Sequence, residues 1–598
     1  MQKSRNSIIC HLWCAASRGR NRLVAGLALL LAANIIGSAA GYAASLSVDV
    51  ASPRGLSTGV GQGFLYGFTG DGSQPGNQFV SPLHINAFRS GGHVSGGWIA
   101  DGFVFGSATQ AEINSVISTA TRLRAAQYQV ILSDMYGATG GQPTTTLFPC
   151  DNGDCSNWVN YLDAVLPRLQ QTGLNFVYEV WNEPDISVFW PRGTNSVQYF
   201  QMWDTAVREI RRLAPNAVIL GPTFAIGPLR NAAQWNTWLA HVKAADTVPN
   251  WITNHDEVDG DDPVTVAQAL DSTLIANGIG VLPLSANEYG PQDRQFAGVT
   301  AWYLARFAQS SYTNALRGNW VCCLTPNMAG ILTNDALSPN GHWWVYRAYA
   351  DMTGSLVNTS NAVGTTAISA AVDRAARRVV AIIGDSNGTT GTDEVTFSGL
   401  LSVLSLVNNG EVHVTVERIP EQSPLNAPLV VFSQDMTAGS GSVTVPVTFE
   451  DTHDAFAIYV TPGGLGGSNV TGPFVGTGSG RCLDVVGASA ALGTPVDISD
   501  CTGMTNQQWH VTAAGELRVF NDTRCLDASG QRTADGTPLI IWSCNGQANQ
   551  KWRFNSDGSI TGVQSGRCLD VTAAATVNGT PIHLFDCNGQ PNQQWTLQ

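Results

Sequence analysis

The fold of the largest region of this 598-residue chain is decided by residues 176–184, FVYEVWNEP. An apolar run typical of a buried β-strand ends there in a polar Asn-Glu pair, and the proline that follows stops the strand. Amphipathic helical patterns lie on both sides of it, over residues 158–170 and 197–213. The local order is therefore helix, strand, helix.

The same alternation extends over residues 45–356, with further apolar runs at 130–132, 217–220 and 280–282. Repeated strand–helix units build a parallel sheet, which is either closed into a barrel or open. No phosphate-binding glycine loop of the GxGxxG or GxxxxGKS/T type follows any of these runs. We therefore predict a (β/α)₈ TIM barrel for residues 45–356.

Two regions of different texture follow the barrel. Short β-branched runs separated by turn residues occupy residues 357–462, and this pattern predicts a small antiparallel β-sandwich. Residues 463–471 are rich in glycine, which is typical of a flexible linker. A multidomain chain is also what its length requires, because a single core of this size is rare.

Residues 472–598 contain one sequence unit three times. Each unit has Arg-Cys-Leu-Asp, a second cysteine and a closing Gln-x-Trp, and every mark recurs with a period of 43 residues. A fixed period with its own cysteine pair indicates a threefold structural repeat. One short-range disulfide is expected in each unit: Cys482–Cys501, Cys525–Cys544 and Cys568–Cys587.

Residues 1–44 have the pattern of an export signal, with a basic start, an apolar run over residues 23–36 and small residues after it. We expect a signal peptide whose removal leaves a secreted protein, extracellular or periplasmic, without membrane attachment. The chain has a net charge of −14, and the part after the signal is more acidic, because the signal holds five basic residues and no acidic one. This charge argues against nucleic acid as a partner.

Ten of the twelve cysteines lie beyond the signal, an even number that suits disulfides in an oxidising compartment. Outside the repeats, Cys150 and Cys155 are predicted to pair around a short loop. The adjacent Cys322 and Cys323 are predicted to form a vicinal disulfide, and cross-pairing between these two sets stays open. No Cys/His cluster has the spacing of a zinc site, so we expect no metal and no cofactor.

Two glutamates follow strand-like runs and are the candidate catalytic residues. Glu183 ends the FVYEVWNEP stretch, and Glu288 lies in residues 284–290, LSANEYG. The 105 residues between them leave room for about three strand–helix units, so the pair can occupy strands 4 and 7 and meet at the barrel mouth. Two facing carboxyl groups suit the cleavage of a glycosidic bond, which needs an acid on one side and a second carboxyl on the other.

These motifs resemble clan A of the glycoside hydrolases. The EVWNEPD wording at 179–185 and the trailing β-sandwich are most similar to family 39, and the resemblance covers about residues 60–460. It implies that Glu183 is the general acid/base, that Glu288 is the nucleophile and that Asn182 binds the sugar 2-hydroxyl. It also implies retention of anomeric configuration, with the two carboxyl groups about 5–5.5 Å apart.

Three further residues are predicted around this pair. Arg89, at the end of strand 2, is expected to form an ion pair with Glu179, and by the clan resemblance it orients Glu288. His255 falls where strand 6 ends and contacts sugar or the nucleophile, or packs in the core. Trp343 is expected to line the subsite of the sugar whose bond is cleaved.

The repeats resemble the ricin B-type lectins, carbohydrate-binding module family 13, whose fold is a β-trefoil. In that family the closing tryptophans are structural, and a sugar site combines an early Asp, a stacking aromatic and an Asn-Gln pair. In the first unit Ser499 stands where the aromatic is expected, so two working sites are predicted. Their residues are Asp527, Trp542, Asn549 and Gln550 in the second unit, and Asp570, His583, Phe585, Asn592 and Gln593 in the third.

Three functions remain in competition. The first is an exo-acting retaining hydrolase that removes arabinofuranoside or xyloside units from plant cell-wall glycans such as arabinogalactan or xylan. The second is an endo-acting hydrolase of the same clan, for example a xylanase, and the third is a lectin with an inactive barrel. Resemblance to the mostly exo-acting family 39 favours the first, with a polysaccharide or oligosaccharide as partner.

Overall fold

A computed structural model describes residues 45–597 except 125, 257–260, 320–322, 361–362, 404–405, 409, 426, 464–470, 513–514 and 556. The predicted signal segment, residues 1–44, lies outside the described residues, and so does nearly all of the predicted linker. In the described part of the chain, no helix has the length and apolar character needed to cross a membrane.

Eight parallel strands close into a barrel, which confirms the predicted TIM-barrel class. Each strand pairs with the next along the chain, and the last pairs with the first. The barrel strands are β2 (Gly63–Leu65), β3 (Ala87–Ser90), β4 (Gln127–Ile131), β5 (Phe176–Glu179), β6 (Val218–Phe224), β7 (Trp251–Asp256), β8 (Leu284–Tyr289) and β9 (Tyr312–Arg317).

Helices connect the barrel strands and cover the outside of the barrel. They are α1 (Asn77–Val80), α2 (Gly97–Ala100), α3 (Ser107–Arg122), α4 (Leu132–Tyr136), α5 (Ser156–Gln170), α6 (Val197–Leu213), α7 (Ala232–Ala244), α8 (Pro263–Ala276), α9 (Ala297–Gln309) and α10 (Gly341–Ala350). In α6 the Ser196 hydroxyl accepts a hydrogen bond from the Tyr199 backbone N–H over 3.2 Å and caps the helix. The buried residues of α6 follow helical spacing: Tyr199, Met202, Trp203, Ala206, Val207 and Ile210.

A nine-stranded sheet encloses a second apolar core and forms the predicted β-sandwich. Its order is β15-β14-β17-β12-β11-β10-β1-β13-β16, and only the pairing of β1 with β13 is parallel. The strands are β1 (Ser45–Leu56), β10 (Ser355–Thr359), β11 (Thr366–Asp373), β12 (Arg378–Asp385), β13 (Gly391–Ser398), β14 (Glu411–Ile419), β15 (Leu429–Thr437), β16 (Val443–Phe449) and β17 (Ala455–Pro462).

The predicted start of the barrel at residue 45 is wrong, because β1 belongs to the sandwich. Leu46, Val48 and Val50 alternate along β1 and are buried in the sandwich core. β1 fills the gap between β10 and β13, which would otherwise be two open sheet edges. The sandwich is therefore built from both sides of the barrel sequence.

Helix α9 joins the barrel to the sandwich. Every residue from Ala297 to Ala308 is buried, since one side of the helix packs on the barrel and the other on the sheet. Gly384 in β12 lies against this helix so closely that a Cβ there would come within 2.1 Å of the Gly298 carbonyl oxygen. A side chain at position 384 would separate the two domains.

The third domain is a β-trefoil with one buried core. Its strands are β18 (Thr471–Gly472), β19 (Phe474–Gly476), β20 (Cys482–Val485), β21 (Val496–Ser499), β22 (Trp509–Val511), β23 (Leu517–Val519), β24 (Arg524–Ala528), β25 (Leu539–Trp542), β26 (Trp552–Phe554), β27 (Ile560–Gly562), β28 (Cys568–Val571), β29 (Thr580–Phe585) and β30 (Trp595–Leu597). The closing tryptophans Trp509, Trp552 and Trp595 are buried in the core, and each indole N–H donates to a backbone carbonyl. Their expected structural role agrees with this position.

Four predicted disulfides are confirmed: Cys150–Cys155, Cys482–Cys501, Cys525–Cys544 and Cys568–Cys587. The predicted Cys322–Cys323 bond does not agree with the structure, because Cys323 carries a free thiol. Cys322 itself lies outside the described residues. With Cys150 bonded to Cys155, cross-pairing between the two sets is also excluded.

The trefoil is held against the other two domains by the side chain of Arg553, which is 14% exposed. Its Nη1 donates to the Tyr459 hydroxyl over 2.9 Å, and its guanidinium lies 5.4 Å from the centre of a Trp344 ring. The same group lies 3.7 Å from the Asp351 carboxylate and 3.5 Å from that of Glu417. Three domains thus share one buried ionic cluster.

Replacing Arg553 with Ala is expected to destabilise the protein by on the order of 3 kcal/mol, because the buried Asp351 and the partly buried Glu417 each lose one neighbouring positive charge and the packing on Trp344 is lost. Urea denaturation followed by tryptophan fluorescence measures the change. Arg212→Ala is the matched control, since that side chain is 55% exposed and pairs with Asp163 and Glu209 on the surface. The control should change the free energy of unfolding by less than about 1 kcal/mol; equal effects of the two variants would contradict the buried cluster.

Candidate active site

Four barrel strands deliver the predicted polar residues to the C-terminal mouth of the barrel. Arg89 lies in β3, Glu179 ends β5, His255 lies in β7 and Glu288 lies in β8. These are the second, fourth, sixth and seventh strands of the barrel, in agreement with the strand positions predicted for them. The mouth is where side chains from several parallel strands converge.

Arg89 is the centre of the site and is completely buried. Its Nε and Nη2 donate to the two oxygens of Glu179, both over 2.6 Å. Its Nη1 donates to Glu288 Oε1 over 2.5 Å, and its Nη2 also donates to Asn182 Oδ1 over 2.6 Å. One planar guanidinium therefore fixes both carboxylates and the amide in relation to each other.

Glu179 is held from a second side as well. Asn287 Nδ2 donates to Glu179 Oε2 over 2.7 Å, and neither residue is exposed to solvent. Glu179 is therefore fully engaged as a partner of Arg89. This placement fits the structural role expected for it.

His255 connects the two candidate catalytic glutamates. Its Nδ1 lies 2.9 Å from Glu183 Oε1, and its Nε2 lies 3.7 Å from Glu288 Oε1. The imidazole is buried, whereas the Glu183 side chain is 14% exposed and that of Glu288 is 3% exposed. Of the two alternatives predicted for His255, the structure shows contact with the nucleophile candidate and adds contact with Glu183.

The backbone places Glu183 through an unfavourable conformation. Glu183 has φ of 42°, a left-handed value that non-glycine residues seldom adopt. Its N–H donates to the Thr223 carbonyl at the end of β6 over 3.1 Å. The N–H of Asn182 donates to Ser133 Oγ in α4 over 3.1 Å, so β6 and the helix after β4 hold the segment from both sides.

Aromatic packing in the core supports the segment that carries Asn182 and Glu183. Trp181 is 1% exposed and makes ring contacts with Phe148, Trp158 and Trp190 at centroid distances of 5.9, 6.0 and 4.9 Å. Its indole N–H donates to the Phe189 carbonyl over 3.3 Å. The tryptophan before Asn182 and Glu183 therefore anchors them in the core.

The pKa values of Glu183 and His255 are both raised, but for different reasons. Burial raises the pKa of Glu183 above its ordinary value, although the nearby His255 opposes the shift. Burial alone would lower the pKa of His255, but the carboxylates of Glu288 and Glu183 raise it. A glutamate whose pKa is raised thus lies near a carboxylate paired with Arg89, an arrangement that suits acid–base chemistry.

Two residues of the mouth were missed by sequence reasoning. Tyr66 follows β2 and Asp134 follows β4, and the Tyr66 hydroxyl donates to Asp134 Oδ2 over 2.9 Å. Burial raises the pKa of Asp134 to about 7, while Arg89 acts in the opposite sense. The sequence feature that could have identified Tyr66 and Asp134 is their position shortly after barrel strands, where functional side chains concentrate.

The prediction that Trp343 lines the sugar subsite is wrong. Trp343 is buried in α10, and its indole N–H donates to the Phe79 carbonyl over 2.9 Å. Its neighbour Trp344 donates in the same way to the Leu425 carbonyl over 2.7 Å. Both indoles pack in the core because α10 is covered by the sandwich on one side and by the barrel on the other.

The described residues contain no group of three or more His, Cys, Asp or Glu side chains arranged to hold a metal ion. The side chains of the barrel mouth are instead paired with each other through hydrogen bonds and ion pairs.

The three trefoil units share one polar frame. In each, the Asn and Gln side-chain amides donate to a single oxygen of the first aspartate over 2.6–2.9 Å. The Gln also donates to the backbone carbonyl before the second cysteine over 2.9 Å. Gln550 and Gln593 are fully buried and therefore position Asp527 and Asp570 instead of facing solvent.

Exposed aromatic rings accompany this frame in two units. Trp542 is 41% exposed and Phe585 is 39% exposed, which is unusual for such large apolar side chains. His583 lies with its Nε2 3.0 Å from Asp570 Oδ1 and stacks on Phe585. The first unit has Ser499 at the corresponding place. The first unit therefore lacks the exposed aromatic ring of the other two units, as predicted.

Residues 470–595 match the family of ricin-type β-trefoil lectin domains. The C-terminal region is accordingly a ricin-type β-trefoil lectin domain, as its repeats predicted. This match covers the last of the three domains.

Relatives of the larger part are glycoside hydrolases. Over 48% of this chain, the sequence is 22% identical to a 3-O-α-D-galactosyl-α-L-arabinofuranosidase of Bifidobacterium longum subsp. longum. This chain spans 28% of the length of that curated relative.

Solved structures share the fold. N2152 from Neocallimastix frontalis superposes with a TM-score of 0.60 at 24% identity, over 70% of this chain and 100% of that one. The GH39 enzyme from Xanthomonas axonopodis pv. citri has a TM-score of 0.53 at 13% identity, over 72% of this chain and 100% of that one. At these identities the likeness is one of fold.

Replacing His255 with Leu is expected to raise the pKa of Glu183 further, because its hydrogen bond and charge favour the ionised carboxyl. The protonated fraction of Glu183 should therefore persist to higher pH than in the wild type. Infrared titration of the protonated carboxyl band measures this, with Glu183→Gln as the control that removes the band. An unchanged or lower midpoint would show that His255 does not control this proton.

Proposed function

We propose that this chain is a secreted retaining glycoside hydrolase that uses Glu183 as acid/base and Glu288 as nucleophile. The observation that carries the proposal is the buried network in which Arg89 binds Glu288 and Asn182 while His255 bridges Glu288 and Glu183. The hydrolase relatives and the attached lectin domain support the same conclusion.

Each glutamate has the environment that its role requires. The Arg89 guanidinium supplies the countercharge for an ionised Glu288, which can then attack the anomeric carbon and form a covalent glycosyl-enzyme. Burial raises the pKa of Glu183, so this residue enters the cycle protonated and gives its proton to the leaving oxygen. In the second step Glu183 takes a proton from the water that releases the sugar.

Asn182 and His255 act on the same two steps. Asn182 Oδ1 accepts from Arg89, which turns the amide Nδ2 towards a substrate hydroxyl. This donor binds the sugar 2-hydroxyl, a contact that strengthens in the transition state. His255 holds Glu183 near the scissile oxygen and lowers the repulsion between the two glutamates as their charges change.

The proposed substrate class rests on the low exposure of the two glutamates and on the hydrolase relative. Side-chain exposures of 14% for Glu183 and 3% for Glu288 favour a pocket that admits a chain end over an open groove. Exo action on side chains of a plant cell-wall polysaccharide fits such a pocket. The arabinofuranosidase relative is compatible with an arabinofuranoside as the cleaved unit, and a xyloside is the alternative.

The lectin domain would bind the polymer from which these units are removed. Asp527 with Trp542, and Asp570 with Phe585, each combine a fixed carboxylate and an exposed ring, which together suit the polar edge and apolar face of a sugar. Two weak sites gain by acting on the same polymer. The four disulfides fit an oxidising compartment outside the cytosol.

The two glutamates should respond differently to amidation. Glu288→Gln is expected to lower kcat about 10⁴-fold or more on every substrate, because the nucleophile is lost. Glu183→Gln should lower it about 10²–10⁴-fold on polysaccharide. The loss should be smaller on 4-nitrophenyl glycosides, whose leaving group needs no acid. Steady-state kinetics on both substrate types measures the difference.

Glu112→Gln is the matched control for these variants. Glu112 is a buried carboxyl in α3, hydrogen-bonded to Ser95 outside the barrel mouth, and burial raises its pKa to about 8. Amidation there should leave kcat unchanged. Release of one mono- or disaccharide by the wild type supports exo action, whereas a ladder of oligosaccharides would establish endo action. No hydrolysis of any glycoside would leave the lectin alone as the function.

Removing the exposed rings should weaken attachment to polysaccharide. Trp542→Ala and Phe585→Ala are each expected to weaken binding about fivefold, which corresponds to about 1 kcal/mol of stacking. The double variant should lose more than either single one, because two sites act together. Affinity electrophoresis in polysaccharide gels measures retention, and Trp542→Phe should keep most of it. Full retention of the double variant would show that the sugar sites lie elsewhere.

A further inference from the structure

The first trefoil unit differs from the others at the residue that faces its early aspartate. Across the paired strands of each hairpin, the facing residues are Asp497 for Asp484, Ile540 for Asp527, and His583 for Asp570. Facing residues of antiparallel strands lie on the same side of the sheet, with Cβ atoms about 4.5–5.5 Å apart. Two carboxylates therefore meet in the first unit, where the other units have an apolar or a basic partner.

The polar atoms left over in this unit are acceptors. Asp497 is 9% exposed, and its Oδ1 has no hydrogen-bond partner among the described residues. Asn506 Oδ1 is also buried without a partner in the described part of the chain, as is the equivalent Asn549 Oδ1 of the second unit, so the unpartnered Asp497 oxygen is what sets the first unit apart. The available amide donors are already used, because Asn506 Nδ2 and Gln507 Nε2 both donate to Asp484 Oδ1 over 2.6 and 2.8 Å.

This arrangement is unfavourable until a partner with positive charge arrives. Like charges that face each other across a sheet destabilise it, and an unpaired buried acceptor loses its hydrogen bond to water. Burial and the neighbouring Asp484 raise the pKa of Asp497 to about 6, which is the expected result of two crowded carboxyls. A suitable ligand brings charge and N–H donors together.

We propose that the first unit binds a sugar residue that carries a protonated amino group, through Asp484, Asp497 and Asn506. An ammonium group has three N–H donors, and these three side chains offer one acceptor each. Charge-assisted hydrogen bonds are about twice as strong as neutral ones, so they can replace the ring stacking that Ser499 does not provide.

An amine fits this position better than a metal ion. Calcium takes six to eight oxygen ligands, whereas the proposed site offers only two carboxylates, which face each other across the strand pair, and one amide oxygen. The amino sugar would also occupy the same place in the repeat as the neutral sugars of the other units. None of the three residues belongs to the barrel or to the second and third units, so the proposal stands apart from the proposed hydrolase activity.

The test uses the full-length secreted chain and three probes: glucosamine, N-acetylglucosamine and glucose. Isothermal titration near neutral pH is expected to show at least tenfold tighter binding of glucosamine, because acetylation removes the charge. Asp497→Ile, which installs the second unit's residue, and the isosteric Asp497→Asn should each weaken glucosamine binding about tenfold. Asp522→Asn removes an exposed carboxylate elsewhere in the trefoil and should leave it unchanged.

Several outcomes would overturn the proposal. Equal affinity of the wild type and Asp497→Ile for glucosamine would do so, as would equal affinity of the wild type for glucosamine and N-acetylglucosamine. Binding of calcium that depends on Asp497, without binding of glucosamine, would make this a metal site. Thermal denaturation confirms that both variants are folded, since removing one of two like charges should not lower stability.

Discussion

The Arg89 guanidinium is buried at the barrel mouth, where protein groups must replace the water that would otherwise solvate its charge. Glu179 and Glu288 supply the countercharges, and the rigid fork of the guanidinium fixes where each carboxylate lies. Asn182 is aligned by the same group. The geometry of the polar side chains at the barrel mouth is therefore a consequence of balancing one buried charge.

Glu183 differs from Glu288, because it has no ion pair with Arg89. It approaches the network through His255, and its burial favours the protonated form. The strained backbone at Glu183 persists because β6, helix α4 and the aromatic cluster around Trp181 hold the segment. Rigid support of this kind holds the Glu183 carboxyl, whose pKa burial raises, near the Glu288 carboxylate that is paired with Arg89.

The three domains form a single packed assembly. Helix α9 is covered on both sides by barrel and sandwich, and Arg553 ties the trefoil to Asp351 and Glu417. In the trefoil, the repeated Asp-Asn-Gln frame keeps one backbone geometry while the facing residues vary. Ile540, His583 and Asp497 thus give the three units different chemical character on the same framework.

The sequence alone determined the features that depend on local pattern. Strand and helix periodicity predicted the barrel, the period of 43 residues predicted a threefold repeat with one disulfide in each unit, and strand ends marked Glu183 and Glu288. Only the tertiary structure decided which distant residues meet. It placed β1 in the sandwich, buried Trp343 in the core, paired Tyr66 with Asp134 and set Arg553 between domains. The reason is physical: periodicity records how each segment meets its nearest surroundings, whereas these contacts depend on how separate segments pack against each other.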